Sequence, residues 1–164
     1  MKNIKLLTVS ILILSCASLH AQSKWFAAPL VGIASIDGNF GYTANLTLGR
    51  YISDFGVKEK SYFRADICSG YFGFSKNRIY SAAALFSACG SSEKWYNSAS
   101  MGFGVQKSEN RSKYDFIIPL RMIYGAYRFN NKMCLGLDLS ANLNLSDFWS
   151  GTPVYLGLFL GIGL

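Results

Sequence analysis

Residues 133–145 alternate without a break between apolar side chains and small or polar ones. Successive side chains on a strand point to opposite faces, so the segment predicts a strand of thirteen residues with one apolar and one polar face. Globular strands usually have about 5–6 residues, whereas a bilayer-crossing strand needs about 9–11 and turns its apolar side outward. The segment therefore predicts a membrane-spanning strand. Its apolar phase is Met133, Leu135, Leu137, Leu139, Ala141, Leu143 and Leu145, and its other phase is Cys134, Gly136, Asp138, Ser140, Asn142 and Asn144.

The first 21 residues have the composition of a secretory signal peptide. Lys2 and Lys5 precede an apolar run at residues 6–14, and a region of small residues ends at Ala21. Such a segment is excluded from the fold, and we expect cleavage after Ala21. One β-barrel domain then occupies residues 22–164. A lipoprotein-like cleavage box before Cys16 is the alternative, in which Cys16 becomes a lipidated N-terminus.

Other segments of the mature chain show the same alternation of period two. Residues 25–36 contain Pro29, which lacks a ladder donor, and are also predicted as a strand. Residues 79–90 are rich in Ala and Ser and have a helical alternative, but their short flanks and neighbouring strands favour a strand. The segments with clear alternation are 40–49, 63–68, 98–106, 115–126 and 156–164.

Clusters of Gly, Asn, Asp, Ser and charged residues separate eight strands and supply the chemistry of turns. The predicted fold is an all-β, eight-stranded antiparallel up-and-down transmembrane β-barrel. An even strand number puts both termini on one side, which is the periplasm for an exported chain. The predicted outer connections are then short. The separating segments are 37–39, 53–60, 75–77, 90–93, 107–112, 130–131 and 146–152.

The composition favours a membrane barrel over a soluble one. Charged residues make up 15% of the chain, against about 25% in soluble domains. The alternative is a soluble periplasmic or secreted barrel that binds a lipid or another apolar small molecule between its leucine rows. That arrangement would leave a glycine-rich, nearly uncharged outer surface, which is poor for solubility. The 16 Lys and Arg against nine Asp and Glu are scattered singly, so nucleic-acid binding is not expected.

Five charged residues fall on the predicted inner phase, and we interpret them as a structural network of lumen ion pairs. They are Arg64, Asp66, Asp115, Arg121 and Asp138. If residues 130–131 form the turn, Arg121 lies opposite Ser140 and diagonal to Asp138, within reach of its long side chain. Charged groups in a barrel lumen usually pair with each other, so no catalytic role is assigned to them.

Aromatic residues cluster near the predicted strand ends, as expected for interfacial girdles. The cysteines are expected to remain unbridged: Cys68 should pair near residue 84, and Cys89 would lie about 17 Å further along the strand. Cys134 is predicted as an unpaired filler of the interior. The girdle candidates are Trp25, Phe26, Phe40, Tyr42, Tyr51, Tyr62, Phe63, Trp95, Tyr96, Tyr124, Tyr127, Phe129 and Trp149.

The last fifty residues resemble the small outer-membrane β-barrel proteins common in Bacteroidetes. That family tends to have an Ile-Pro-Leu strand, a Tyr-x-Phe ending, an Asn turn and a strand rich in Leu and Gly. The matching segments here are residues 118–120, 127–129, 130–131 and 135–137, and the Ala21-Gln22 junction also fits. The resemblance implies an eight-stranded barrel in the bacterial outer membrane without an assigned activity. The C-terminal strand resembles the signal read by the barrel-insertion machinery, although it ends in Leu164 rather than an aromatic residue.

These observations predict a non-enzymatic integral outer-membrane protein whose partners are outer-membrane lipids. Some eight-stranded barrels are lipid A acyltransferases or deacylases that depend on a histidine, and here the only histidine, His20, lies in the predicted signal peptide. No phosphate loop, dinucleotide fingerprint or metal-ligand cluster is present, so no cofactor is expected. Envelope integrity and surface interaction or adhesion are the expected roles, and a narrow pore is a third hypothesis.

Overall fold

A computed structural model describes residues 25–54, 60–130, 132–145 and 152–163. Each strand in these ranges pairs antiparallel with the next, and the last strand pairs with the first to close the barrel. The predicted all-β, eight-stranded antiparallel fold is confirmed. The predicted signal peptide, Cys16, Trp149 and Leu164 lie outside the described residues. The strands are β1 (Trp25–Ile36), β2 (Asn39–Asp54), β3 (Lys60–Phe74), β4 (Asn77–Ser91), β5 (Trp95–Ser108), β6 (Asp115–Asn130), β7 (Met133–Asn144) and β8 (Val154–Ile162).

The alternation of β7 places its leucines on the outside of the barrel. Leu135, Leu137 and Leu139 are 42%, 54% and 49% exposed, whereas Cys134 and Asp138 between them are fully buried. The soluble alternative requires leucine rows that line an internal cavity, and the leucines of this strand do not do so. The interior contains buried hydroxyls, amides and glycines together with an apolar cluster that includes Phe26, Phe72 and Phe159.

The segment with a helical alternative is a strand, and β1 has the predicted bounds. Most other strands extend a few residues beyond the clear alternation, which shortens some predicted connections, such as those at residues 37–39 and 75–77, by one residue. Asp37 and Gly38, with φ values of 49° and 77°, form the turn between β1 and β2. Positive φ at both central residues is the geometry of the two-residue hairpin turn. No helix in the described ranges is long and apolar enough to cross a membrane.

Strand β6 departs from strict alternation near Gly125, which has a φ of 62°. The register with β7 shifts between Tyr124 and Tyr127, and it shifts again between Arg128 and Asn130. The bulge turns Ala126 into the lumen, where it is fully buried, although simple alternation predicts it outside. Strand β6 extends to Asn130 and β7 begins at Met133, so Asn130 belongs to the strand rather than to the predicted turn at 130–131; Asn131 lies outside the described residues.

Candidate functional site

The lumen contains a layer built around Arg64, which is almost fully buried. Its guanidinium forms two hydrogen bonds with Asp66, including one of 2.8 Å from Nη2 to Oδ2. Its Nη1 donates to the Tyr96 hydroxyl at 2.8 Å, and its Cζ lies 3.7 Å from the centroid of the Phe26 ring. The Ser87 hydroxyl donates to Asp66 Oδ2. Because β1, β3 and β5 all contribute, this layer crosses the barrel.

A second layer contains Arg121 and Asp138, which are also buried. Arg121 Nε donates to Asp138 Oδ2, and Arg121 Nη1 donates to the Thr47 hydroxyl. The Ser140 hydroxyl donates to the other carboxylate oxygen of Asp138. Arg121 lies opposite Ser140 in the register, as predicted from the turn. The two shifts near the end of β6 compensate for the displaced turn, so the predicted pair is confirmed.

A glycine on β2 makes room for the first ion pair. A Cβ added to Gly49 would overlap Asp66 Oδ1 and would lie 2.8 Å from Arg64 Cδ and Nε. Gly49 therefore serves the packing of larger lumen side chains from the neighbouring strand.

The structure separates Asp115 from the other four predicted network residues. Asp115 lies at the end of the barrel that carries the turns at residues 37–38 and 75–76, and it pairs with the half-exposed Arg111 at 3.3 Å. It lines a cavity of about 280 Å³ at this mouth together with Lys76, Gln106 and Arg111. The prediction places Asp115 among the lumen ion pairs. In the structure it is buried and paired, but its partner is Arg111 at the mouth because it lies at the start of β6.

Of the residues predicted for the aromatic girdle, only those on the outward phase of a strand lie on the outer surface. Trp25, Trp95 and Tyr124 are exposed on the outside, whereas Phe26 and Tyr96 are buried in the lumen and Tyr62 packs against the same core. Neighbouring aromatics in one strand must face opposite sides, so Phe26 and Tyr96 follow from the outward positions of the two tryptophans.

The cysteines of the described residues are free. Cys68 pairs with Ala83 in the register and Cys89 pairs with Tyr62, so the two cysteines lie six positions apart along the hairpin. The predicted absence of a bridge between them is confirmed by this separation. Cys89 accepts a hydrogen bond from the Tyr96 hydroxyl at 3.5 Å, and Cys134 is fully buried.

Several lumen residues were missed by the sequence reasoning. Tyr96 and Thr47 contact the two buried arginines across the barrel, and Arg128 donates to the Ser91 hydroxyl at 2.8 Å and to the Ser92 carbonyl. Period two assigns Thr47 to the inner phase, but it does not indicate which arginine it meets. In the described ranges no group of three His, Cys, Asp or Glu side chains could hold a metal ion.

Comparisons with known proteins support the fold but no family. No family model matches the chain, and no curated protein matches it. The outer-membrane enzyme PagL is similar in structure, with a TM-score of 0.58 and 15% identity over 85% of this chain and 99% of PagL. Neisserial surface protein A (NspA) has a TM-score of 0.62 and 12% identity over 85% of this chain and 96% of its own. The chain therefore has the fold of small eight-stranded outer-membrane β-barrels.

Proposed function

We propose that this chain is a non-enzymatic integral protein of the bacterial outer membrane, acting in envelope integrity or surface interaction. The observation that carries the proposal is the outward face of the closed barrel. Large apolar side chains on all eight strands are exposed there, including Val31, Ile67, Phe103 and Leu158 at 55–75%. An apolar surface that surrounds the whole molecule is unfavourable in water and suits acyl chains.

The positions of outward charges support the same proposal. In the described strands the outward charged side chains are Arg50, Arg78 and Lys107, all at or near a strand end. Exposed aromatics such as Trp25, Tyr42, Trp95 and Tyr124 lie near the same ends. Charges and aromatic rings at the two rims, with an uncharged band between them, match the interfaces and core of a bilayer.

The proposed export route and orientation rest on the predicted signal peptide and on the even strand number. Both termini then lie in the periplasm, and the mouth lined by Lys76 and Arg111 faces outward. Insertion through the C-terminal strand is consistent with β8, whose outward residues are apolar from Val154 to Ile162. The absence of a histidine from the predicted mature chain supports a non-enzymatic role.

Membrane integration is tested by fractionation and by gel migration. The full chain expressed in a Gram-negative host should sediment with outer membranes after a carbonate wash, and its folded band should shift on an SDS gel after boiling. Recovery as a folded monomer in detergent-free buffer would contradict the proposal.

Cysteine labelling tests which face meets lipid. In a cysteine-free background, Leu137→Cys should react with a membrane-soluble maleimide and resist a charged one. Ser140→Cys, on the opposite face of the same strand, is the matched control and should resist both reagents because the filled lumen buries it. Reaction of residue 137 with the charged reagent in the folded, membrane-inserted protein would contradict the assignment.

A further inference from the structure

Tyrosine side chains form a continuous row on the outside of the barrel near the mouth. The rings of Tyr42 and Tyr71 lie 5.7 Å apart and their hydroxyls are hydrogen-bonded at 3.2 Å. The rings of Tyr71 and Tyr80 lie 5.4 Å apart, on directly paired positions of β3 and β4. The row therefore presents several hydroxyl groups at one level of the outer surface.

Basic side chains extend this row. Lys107 pairs with Tyr80 in the register, and its Nζ lies 5.0 Å from the centroid of the Tyr114 ring. Arg78 lies on the same face of β4, two positions from Tyr80, and its exposed side chain contacts Glu109 at 3.4 Å. No ion pair involves Lys107 within the described ranges. We call Tyr42, Tyr71, Arg78, Tyr80, Lys107 and Tyr114 the tyrosine–cation strip.

Hydrogen bonds join the two chain segments that carry the cations of this strip. Glu109 N donates to the Arg78 carbonyl at 2.8 Å, and Asn110 Nδ2 donates to the Lys76 carbonyl at 2.9 Å. The Ser108 hydroxyl donates to Asn77 Oδ1 at 2.7 Å. These bonds fasten the loop after β5 to the turn before β4, so the backbone positions of Arg78 and Lys107 are held next to each other.

Below the strip, three small outward side chains make a depression in the outer surface. Ser69 and Ala82 are directly paired, and Ala84 follows on the same face, paired with Phe103 on β5. All three small residues are exposed. Larger side chains border them, including Ile67 and Phe103, which are 70% and 75% exposed. The surface thus has a shallow apolar depression directly beneath a group of cations and hydroxyls.

The strip is confined to one side of the barrel. On the other side of the mouth, the outward residues at or next to the strand ends include Phe116 on β6, Leu145 just after β7 and Val154 on β8. None of these can donate a hydrogen bond. The strip therefore differs in hydrogen-bonding capacity from the other side of the same rim.

We propose that the tyrosine–cation strip binds the phosphate group of a membrane lipid whose acyl chain lies over Ser69, Ala82 and Ala84. The lysine, arginine and tyrosine side chains can donate hydrogen bonds to phosphate oxygens. The bonds from lysine and arginine join opposite charges and are therefore stronger than neutral hydrogen bonds. Tyrosine side chains lie at the level of lipid head groups, which places the phosphate beside them. This inference rests on the proposed membrane location.

The test compares two lipids that differ only in the phosphate. The folded full chain in a non-ionic detergent is titrated with dioleoyl phosphatidic acid or with dioleoylglycerol, and bound lipid is counted by native mass spectrometry. We expect one molecule of phosphatidic acid to bind to each barrel, and dioleoylglycerol to bind more weakly. The double variant Arg78→Gln, Lys107→Gln should lose about 30-fold in affinity for phosphatidic acid.

The matched control is Arg50→Gln. Arg50 is also an outward arginine that packs on an aromatic ring, with its Cζ 5.5 Å from the centroid of the Trp25 ring, but it lies toward the opposite end of the barrel. Its affinity for phosphatidic acid should stay within about twofold of the wild type, as expected for loss of one remote surface charge. All variants are first checked for the heat-dependent gel shift, so that lost binding is not confused with lost folding.

Three results would overturn the inference alone. They are equal binding of the two lipids by the folded wild type, unchanged binding by the folded double variant, and displacement of phosphatidic acid by an equal concentration of inorganic phosphate. The last result would assign the strip to a free anion rather than to a lipid. Failure of the wild type to form a heat-modifiable barrel in detergent would instead overturn the proposed function, and the inference with it.

Discussion

Arg64 is the largest side chain that the barrel buries completely, and Asp66 is its only ion-pair partner among the described residues. Asp66→Asn would leave the guanidinium buried without a counter-charge. We expect the free energy of unfolding to fall by about 3–5 kcal/mol. The measurement is a urea titration in detergent that follows the folded band on an unboiled gel.

Two controls separate charge burial from the loss of any carboxylate. Asp115→Asn removes the partner of Arg111, whose side chain is 49% exposed, and should cost at most about 1 kcal/mol. Arg64→Met combined with Asp66→Leu removes both charges and should recover most of the lost stability. If Asp66→Asn and Asp115→Asn cost the same, the buried pair does not hold the lumen together as described.

Gly49 gives a second prediction at this scale, because its missing side chain leaves the space that Asp66 and Arg64 occupy. Gly49→Ala should lower the free energy of unfolding by about 1–3 kcal/mol through overpacking. Gly90→Ala is the matched control, since a Cβ there meets no atom within 4 Å and its expected effect is within about 0.5 kcal/mol. The same urea titration measures both variants, and equal effects would show that the lumen around Gly49 can expand.

At the scale of the strand, β7 offers two leucines on one outward face at different depths. Leu139 lies near the middle of the strand and Leu145 lies just beyond its end. In phosphatidylcholine vesicles Leu139→Arg should cost about 2–4 kcal/mol, whereas Leu145→Arg should cost about 0–1 kcal/mol, because an arginine near the interface reaches water. Reversible folding into the vesicles in urea measures both values. Equal costs would mean that the apolar band is not centred on the middle of β7.

A strand could be predicted wherever its inward and outward residues differ clearly in polarity, as in β7 and β8. The bulge at Gly125 could not be predicted in the same way, because one inserted residue reverses the phase of everything after it, including Ala126. Strand ends were also underestimated. Close to the strand ends the inner phase contains polar groups such as Ser91 and Ser108, which resemble loop residues in a sequence.

Contacts between neighbouring strands could be predicted, and contacts across the lumen could not. The pair Arg121–Asp138 follows from one hairpin and its turn, which fix the register. Arg64 and Tyr96 lie on β3 and β5, and Arg121 and Thr47 lie on β6 and β2, so neither pair shares a register. Such contacts depend on barrel diameter and shear, which alternation alone does not specify.

For the whole molecule, these crossings determine whether solutes can pass. Arg64 reaches from β3 to Tyr96 on β5, Arg121 reaches from β6 to Thr47 on β2, and the Phe72 ring on β3 lies 5.3 Å from the Tyr155 ring on β8. A barrel of eight strands has an interior just wide enough for side chains, so these crossings block the tube one after another. We therefore expect that the barrel does not conduct solutes.

Planar-bilayer recordings test this closure, with a sixteen-stranded porin as the conducting reference in the same membrane. The wild type should show no steady openings. Arg121→Ala should also remain silent, because the crossings are in series and the contacts of Arg64 and Phe72 persist in that variant. Steady openings of the wild type would favour the narrow-pore hypothesis, whereas openings of Arg121→Ala alone would identify that crossing as the single constriction.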